Sequence, residues 1–125
     1  MAEQVVPSAD PRELLAGLPP GEPVVMINLL QFKRPDGAEH YRRYARGVVP
    51  HLDSAGGRVL YSGNARVSVI GDAERPWWDA ILVVEYPSPE AFLKMVADEG
   101  YQEVHKDREA ALDRAELIAT SRWMG

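Results

Sequence analysis

Towards the end of the chain, Tyr101, Val104, His105, Arg108 and Leu112 recur at the spacing that places side chains on one face of a helix. Glu103, Lys106 and Asp107 fall on the other side. An imidazole and a guanidinium therefore point inward among apolar neighbours. An inward His can move a proton, ligate a metal or heme iron, or sit as a hydrogen-bonded core residue. An inward Arg can offset negative charge developing on a reacting oxygen.

A second polar residue breaks an apolar run. Asn28 stands in the middle of Met26-Ile27-Asn28-Leu29-Leu30. A buried amide left without partners costs about 1–3 kcal/mol, so Asn28 needs either a structural hydrogen bond or a ligand oxygen to orient. Asp79 and Glu85 share a strand face but lie about 20 Å apart at 3.3 Å per residue, too far to act on one bond. Glu85 is expected to pair with Arg108, or with an Arg of a second subunit. His40 and His51 lie off the apolar stripe of their helix and read as surface or edge residues. The sequence has no HExxH, no Gly-rich phosphate loop and no serine elbow. It has no Cys, which removes disulfides, thiolate metal sites and thiol nucleophiles. No metal site is expected.

These groups must be held by a small scaffold. At 125 residues the chain fits one domain, and 46% hydrophobic content supports an ordinary core. A chain of this length buries about two-thirds of its unfolded surface, so a partner subunit would help it. A net charge of -5 argues against nucleic acid and acidic membranes as partners. No signal-like N-terminus and no apolar stretch of about 20 residues is present, so the cytoplasm is the expected location.

Asp10-Pro11-Arg12-Glu13 starts a short helix that Pro19-Pro20-Gly21 ends, within a leader of residues 1–23. The remaining residues, 24–125, form the domain. Val24 to Phe32 reads as a strand apolar on both faces, with Val25, Ile27 and Leu29 opposite Met26, Asn28, Leu30 and Phe32. Ala38 to Ser54 has helical periodicity around Tyr41, Tyr44, Ala45, Val48 and Leu52, and Gly56-Gly57 stops it. Arg58 to Gly71 is strand-like, with a bulge expected at Gly63-Asn64. Asp72 to Pro76 makes a turn, and Trp77 to Tyr86 is the next strand. Ser88-Pro89-Glu90 opens a helix that Gly100 is expected to divide, its second part running to Arg114. Leu117 to Trp123 closes the sequence as a strand.

The order βαββαβ defines an α+β, ferredoxin-like antiparallel sheet with its helices on one face. The face carrying Met26, Leu30 and Phe32 is then left for a second copy, giving a homodimer in which two sheets close into an α/β barrel.

Across residues 24–120 the chain resembles an uncharacterised family of the dimeric α/β-barrel superfamily. The resemblance rests on Met26-Ile27-Asn28-Leu29-Leu30, Tyr41-Arg42-Arg43-Tyr44, Ala55-Gly56-Gly57-Arg58-Val59 and Trp78-Asp79-Ala80. It continues through Val84-Glu85-Tyr86-Pro87-Ser88, Ala91-Phe92, Tyr101-Gln102 and His105 with Arg108. More distantly it is similar to cofactor-independent antibiotic-biosynthesis monooxygenases and to heme-degrading monooxygenases. The heme-degrading group uses an Asn on strand one, a Trp at the end of strand three and a His on the next helix. By that resemblance Asn28 and His105 take the Asn and His places. Tyr86 stands where the Trp would be, a departure that counts against heme degradation.

The resulting expectation is a small-molecule enzyme without nucleotide cofactor, acting by oxygenation, cyclisation or isomerisation on an apolar or aromatic substrate. Asn28, His105 and Arg108 would carry the chemistry; Met26, Leu30, Glu85, Tyr86 and Tyr101 would bind the substrate. A non-catalytic dimeric ligand-binding or regulatory protein is the alternative, and a heme-binding protein a further one.

Overall fold

Pro23 and Lys33 bracket nine residues that form strand β1, Val24–Phe32, and its burial alternates residue by residue. A computed structural model describes residues 9–71 and 78–123. The elements are α1 (Pro11–Leu14), β1, α2 (Gly37–Ala55), β2 (Arg58–Asn64), β3 (Ala80–Tyr86), α3 (Pro89–Ala97), α4 (Glu99–Ala111) and β4 (Leu112–Thr120). The expected turn at Asp72 to Pro76 and the expected strand start at Trp77 lie outside the described residues. The sheet has four strands in the order β2-β3-β1-β4, and each neighbouring pair is antiparallel. β1 and β3 each sit between the two strands of the other βαβ unit, which is the ferredoxin-like arrangement.

Local chemistry accounts for most element ends. The Asp10 side chain accepts from the Arg12 amide at 2.9 Å and opens α1. The Ser88 hydroxyl accepts from the Ala91 amide at 3.1 Å and opens α3, with Pro89 at its first position. α2 ends where Gly56 adopts the left-handed conformation, φ 75°.

Several boundaries differ from those read in the sequence, among them the last strand, which runs Leu112–Thr120 rather than Leu117 to Trp123. The helix division falls at Asp98, not Gly100, because the Asp98 carboxylate accepts from the Tyr101 amide at 3.1 Å and caps α4. α4 stops at Ala111 rather than Arg114. Leu112 is already extended and pairs with Phe32, and the Ala111 carbonyl accepts from the Lys33 amide at 2.8 Å. β2 ends at Asn64 rather than Gly71, leaving Val67, Val69 and Ile70 exposed. The register shift in β2 lies between Val59 and Tyr61, not at Gly63-Asn64. β3 begins at Ala80, since Asp79 turns towards β1 and accepts from the Phe32 amide at 2.8 Å.

The largest correction concerns which face of the sheet the helices cover. Val24, Met26, Asn28 and Leu30 are the buried residues of β1, and Met26 shares a core with Tyr44, Val84, Tyr86, Met95 and Tyr101. The Met26–Asn28–Leu30 face thus lies beneath the helices, not against a second subunit. Val25, Ile27 and Leu29, beside Ile81, Val83, Tyr61 and Ile118 in register, form the face away from them. Leu15 joins the core from the leader, with Leu18 packed against it.

α4 packs on α2 through a close approach. A Cβ on Gly47 would lie 2.9 Å from Val104 Cγ1, the residue next to His105. No side chain larger than hydrogen fits at position 47 unless α4 gives way.

Candidate functional site

The helical stripe read from the sequence exists, and α4 lays it over β1. Arg108 and Tyr101 are buried, while His105 and Val104 are half-buried beside them. Arg108 Nη2 donates to Asn28 Oδ1 at 3.4 Å, and Asn28 Nδ2 donates to the Leu82 carbonyl of β3 at 3.3 Å. The second bond fixes the orientation of the amide, so its oxygen faces the guanidinium. Asn28 is therefore a residue that holds Arg108 in place.

A second chain of polar groups runs along α4 and across to α2. The Tyr44 and Tyr101 hydroxyls lie 3.1 Å apart, and the Tyr101 hydroxyl lies 3.2 Å from His105 Nδ1. His105 Nε2 faces the Glu109 carboxylate at 3.9 Å. The rings pack accordingly: Tyr101 meets Tyr44 edge-on at 6.5 Å, and His51 meets Tyr101 edge-on at 6.2 Å. His51, read as an edge residue in the sequence, thus buttresses the ring that holds His105.

Electrostatics divide the two ends of this cluster. Burial first, and then the Arg108 charge, hold the His105 imidazole below its ordinary 6.5, against a smaller opposing pull from Glu109. Burial also raises the Tyr41, Tyr44 and Tyr86 hydroxyls well above their ordinary values, although Arg108 acts against it at each. The site at neutral pH therefore holds a neutral imidazole, protonated phenols and one cation.

His105 gives the fold a measurable pH signature. Its folded value lies below the unfolded 6.5, so in that window the unfolded chain binds more protons. Stability will fall as the pH drops through 6.5 towards the folded value. The groups acting on it are Tyr101, Arg108 and Glu109 on α4, with Tyr44 of α2 reached through Tyr101. His105→Gln will flatten that part of the wild-type curve in urea titrations at a series of pH values. Parallel curves for the two proteins would show that His105 is not the titrating group.

The remaining residues named from the sequence are divided by the sheet. Met26, Leu30, Tyr86 and Tyr101 lie on the helix-covered side and are buried. Glu85 does not join them; it lies on the opposite face and pairs with Arg58 at 2.9 Å rather than with Arg108. Asp79 pairs with Arg34 at 2.9 Å. Tyr86 is turned into the core, edge-on to Phe92 at 5.1 Å, so it offers no open ring face to a heme plane. With Asn28 engaged by Leu82 and Arg108 as well, the residues present do not fit a heme of the degrading type. A surface depression of about 380 Å³ lined by Gln31, Phe32, Lys33, Arg34 and Asp113 includes none of the candidate residues.

Sequence reading missed Tyr41 and Tyr44 as members of the cluster, treating them as apolar stripe. Their hydroxyls were the available signal, because a buried phenol usually finds a polar partner.

A split βαβ sheet with its helices on one face makes this an α+β, ferredoxin-like protein, a fold it shares with a putative antibiotic biosynthesis monooxygenase at 14% identity and a TM-score of 0.57, covering 82% of this chain and 91% of the other. Residues 26–121 match the family described as a domain of unknown function, DUF1330, and the chain belongs to that family. A protein of unknown function from Rhodopseudomonas palustris is 29% identical, with 98% of each chain covered and a TM-score of 0.85. SnoaB, a cofactor-independent oxygenase from Streptomyces nogalater, shares the fold at 14% identity and a TM-score of 0.57, covering 83% of this chain and 96% of its own. Hydroxynitrile lyase from Passiflora edulis does so at 13% identity and a TM-score of 0.65, covering 85% of this chain and 98% of its own. No curated protein sequence matches the chain. Among the described residues no helix is long and apolar enough to cross a membrane, and no group of His, Asp and Glu is arranged to hold a metal ion.

Proposed function

We propose that this protein is a small-molecule enzyme acting without a nucleotide cofactor on an apolar or aromatic substrate. The observation carrying this reading is a neutral His105 one turn from the buried, cationic Arg108, among aromatic side chains. His105 accepts a proton from an acidic C–H or O–H of the substrate, and Arg108 stabilises the enolate or phenolate that results. That electron-rich species can pass electrons to dioxygen, close on an internal carbonyl, or take the proton back at another atom. Support from the fold comes from SnoaB, described as a cofactor-independent oxygenase.

The active unit is a homodimer in this reading. The open sheet face presents Tyr61 at 60% and Ile118 at 44% exposure, and β2 leads into Val69 and Ile70 at 89% and 94%. Arg58 and Glu85 at one end of that face, with Arg114 and Glu116 at the other, supply both charge signs for a two-fold pairing.

Native mass spectrometry of the protein as purified should give a dimer and the mass of any retained compound. With that compound or its precursor, His105→Gln should lower turnover by about 10²–10⁴-fold while binding persists. A second reading, a binding protein without turnover, is favoured by the Asn28 amide being engaged within the chain at both ends. It predicts an altered affinity in His105→Gln and no product from either protein. A monomeric mass would remove the two-sheet assembly.

A further inference from the structure

Among the described residues no carboxylate answers the charge of Arg108. Its side chain is buried, 7% exposed, and its hydrogen bond to Asn28 is to a neutral amide. No buried polar side-chain atom among the described residues lacks a hydrogen-bond partner, so what Arg108 lacks is a counter-charge. None of the ion pairs among those residues includes it. Asp107 pairs with Arg43, Glu109 faces His105, and Glu85 and Asp79 pair with Arg58 and Arg34. The tyrosines that feel its field are held protonated by burial, so no phenolate compensates it. A buried cation without an opposite charge is strongly disfavoured unless something supplies that charge.

We propose that the ligand of this site is a monoanionic acid in its resting form, an aromatic or other apolar body whose carboxylate binds Arg108. The proposal rests on the site described under the proposed function and narrows its substrate class. A charge that developed only in a transition state would leave the guanidinium uncompensated through the whole binding step. A carboxylate present from the start removes that penalty on binding, and the planar guanidinium matches it in geometry. A phosphate dianion fits less well, because Arg108 is the single cation of the cluster and His105 beside it is neutral. The side chains around the charge are phenol rings, which favour an aromatic or apolar body. Asn28 acts as a positioning residue, holding the guanidinium through its oxygen while its nitrogen is tied to Leu82.

The test is a titration of the full chain with benzoate, with benzyl alcohol as the neutral counterpart and inorganic phosphate as the compact anion. Heat of binding and the Arg108 Nε–H resonance are followed together. Benzoate should bind at least about tenfold more tightly than benzyl alcohol or phosphate and move the Arg108 resonance. Arg108→Met should erase that preference, and Arg108→Lys should restore part of it. Equal affinities for benzoate and benzyl alcohol would overturn the anion assignment and leave the apolar site standing. Benzoate binding that leaves the Arg108 resonance unmoved would overturn it as well, even if neither variant folds. If neither aromatic compound binds, this inference and the proposed small-molecule site fall together.

Discussion

Replacing Arg108 with Met will make the ligand-free protein about 1 kcal/mol more stable in urea, the reverse of what a core truncation does. Two terms oppose each other. Removing the guanidinium abolishes the cost of keeping a cation out of water, which is several kcal/mol even after local relaxation. The substitution also deprives the Asn28 oxygen of its partner, at about 1–3 kcal/mol. The charge term is the larger because no carboxylate offsets it among the described residues. Replacing Asn28 with Leu in the same protein removes the orphaned amide too, and the pair should gain about 2 kcal/mol. A loss of more than about 2 kcal/mol in Arg108→Met would mean that the residue is structural and needs no carboxylate ligand.

Gly37→Ala will cost about 3 kcal/mol, from backbone crowding instead of charge. The new Cβ would sit 2.5 Å from the Ala111 carbonyl oxygen and 3.2 Å from both the Phe32 carbonyl carbon and Cβ. Neither neighbour is a flexible side-chain tip. The Ala111 oxygen accepts from the Lys33 amide at 2.8 Å, and the Gly37 amide donates to the Lys33 carbonyl at 2.8 Å. Relief therefore requires moving the junction where β1, α2 and the end of α4 meet. Urea denaturation of wild type and variant, with slopes compared, measures the effect. A change below about 0.5 kcal/mol would show that this junction can shift freely.

Much of the fold could be read from residue order, and the reasons are specific. β1 is bracketed by Pro23 and Lys33, α3 opens on Ser88-Pro89, and α2 stops at Gly56, so their ends follow from local chemistry. Alternation in β1 showed that Asn28 groups with Met26 and Leu30. It could not show which face the helices would choose, because both faces are apolar and period two fixes only parity. Leu112 suits a helical stripe and a strand equally; its pairing with Phe32, a contact distant in sequence, decides between them. The inward direction of His105 and Arg108 was visible in the spacing of one helix. The contacts from Arg108 to Asn28 and from Tyr101 to Tyr44 join residues 80 and 57 positions apart, beyond the reach of any local pattern.

The missing side chain at Gly47 gives this protein an adjustable spacer. With hydrogen there, Val104 can settle against α2, and the turn that follows carries Arg108 down to Asn28 of the sheet. Each carbon added at 47 would press on Val104 and work as a shim between the two helices, without altering any residue of the turn that carries Arg108. A graded series at this one position would widen the gap between guanidinium and amide by steps. Under the proposed function, the size of the molecule accepted would then be set by a residue of α2 that is not itself part of the site.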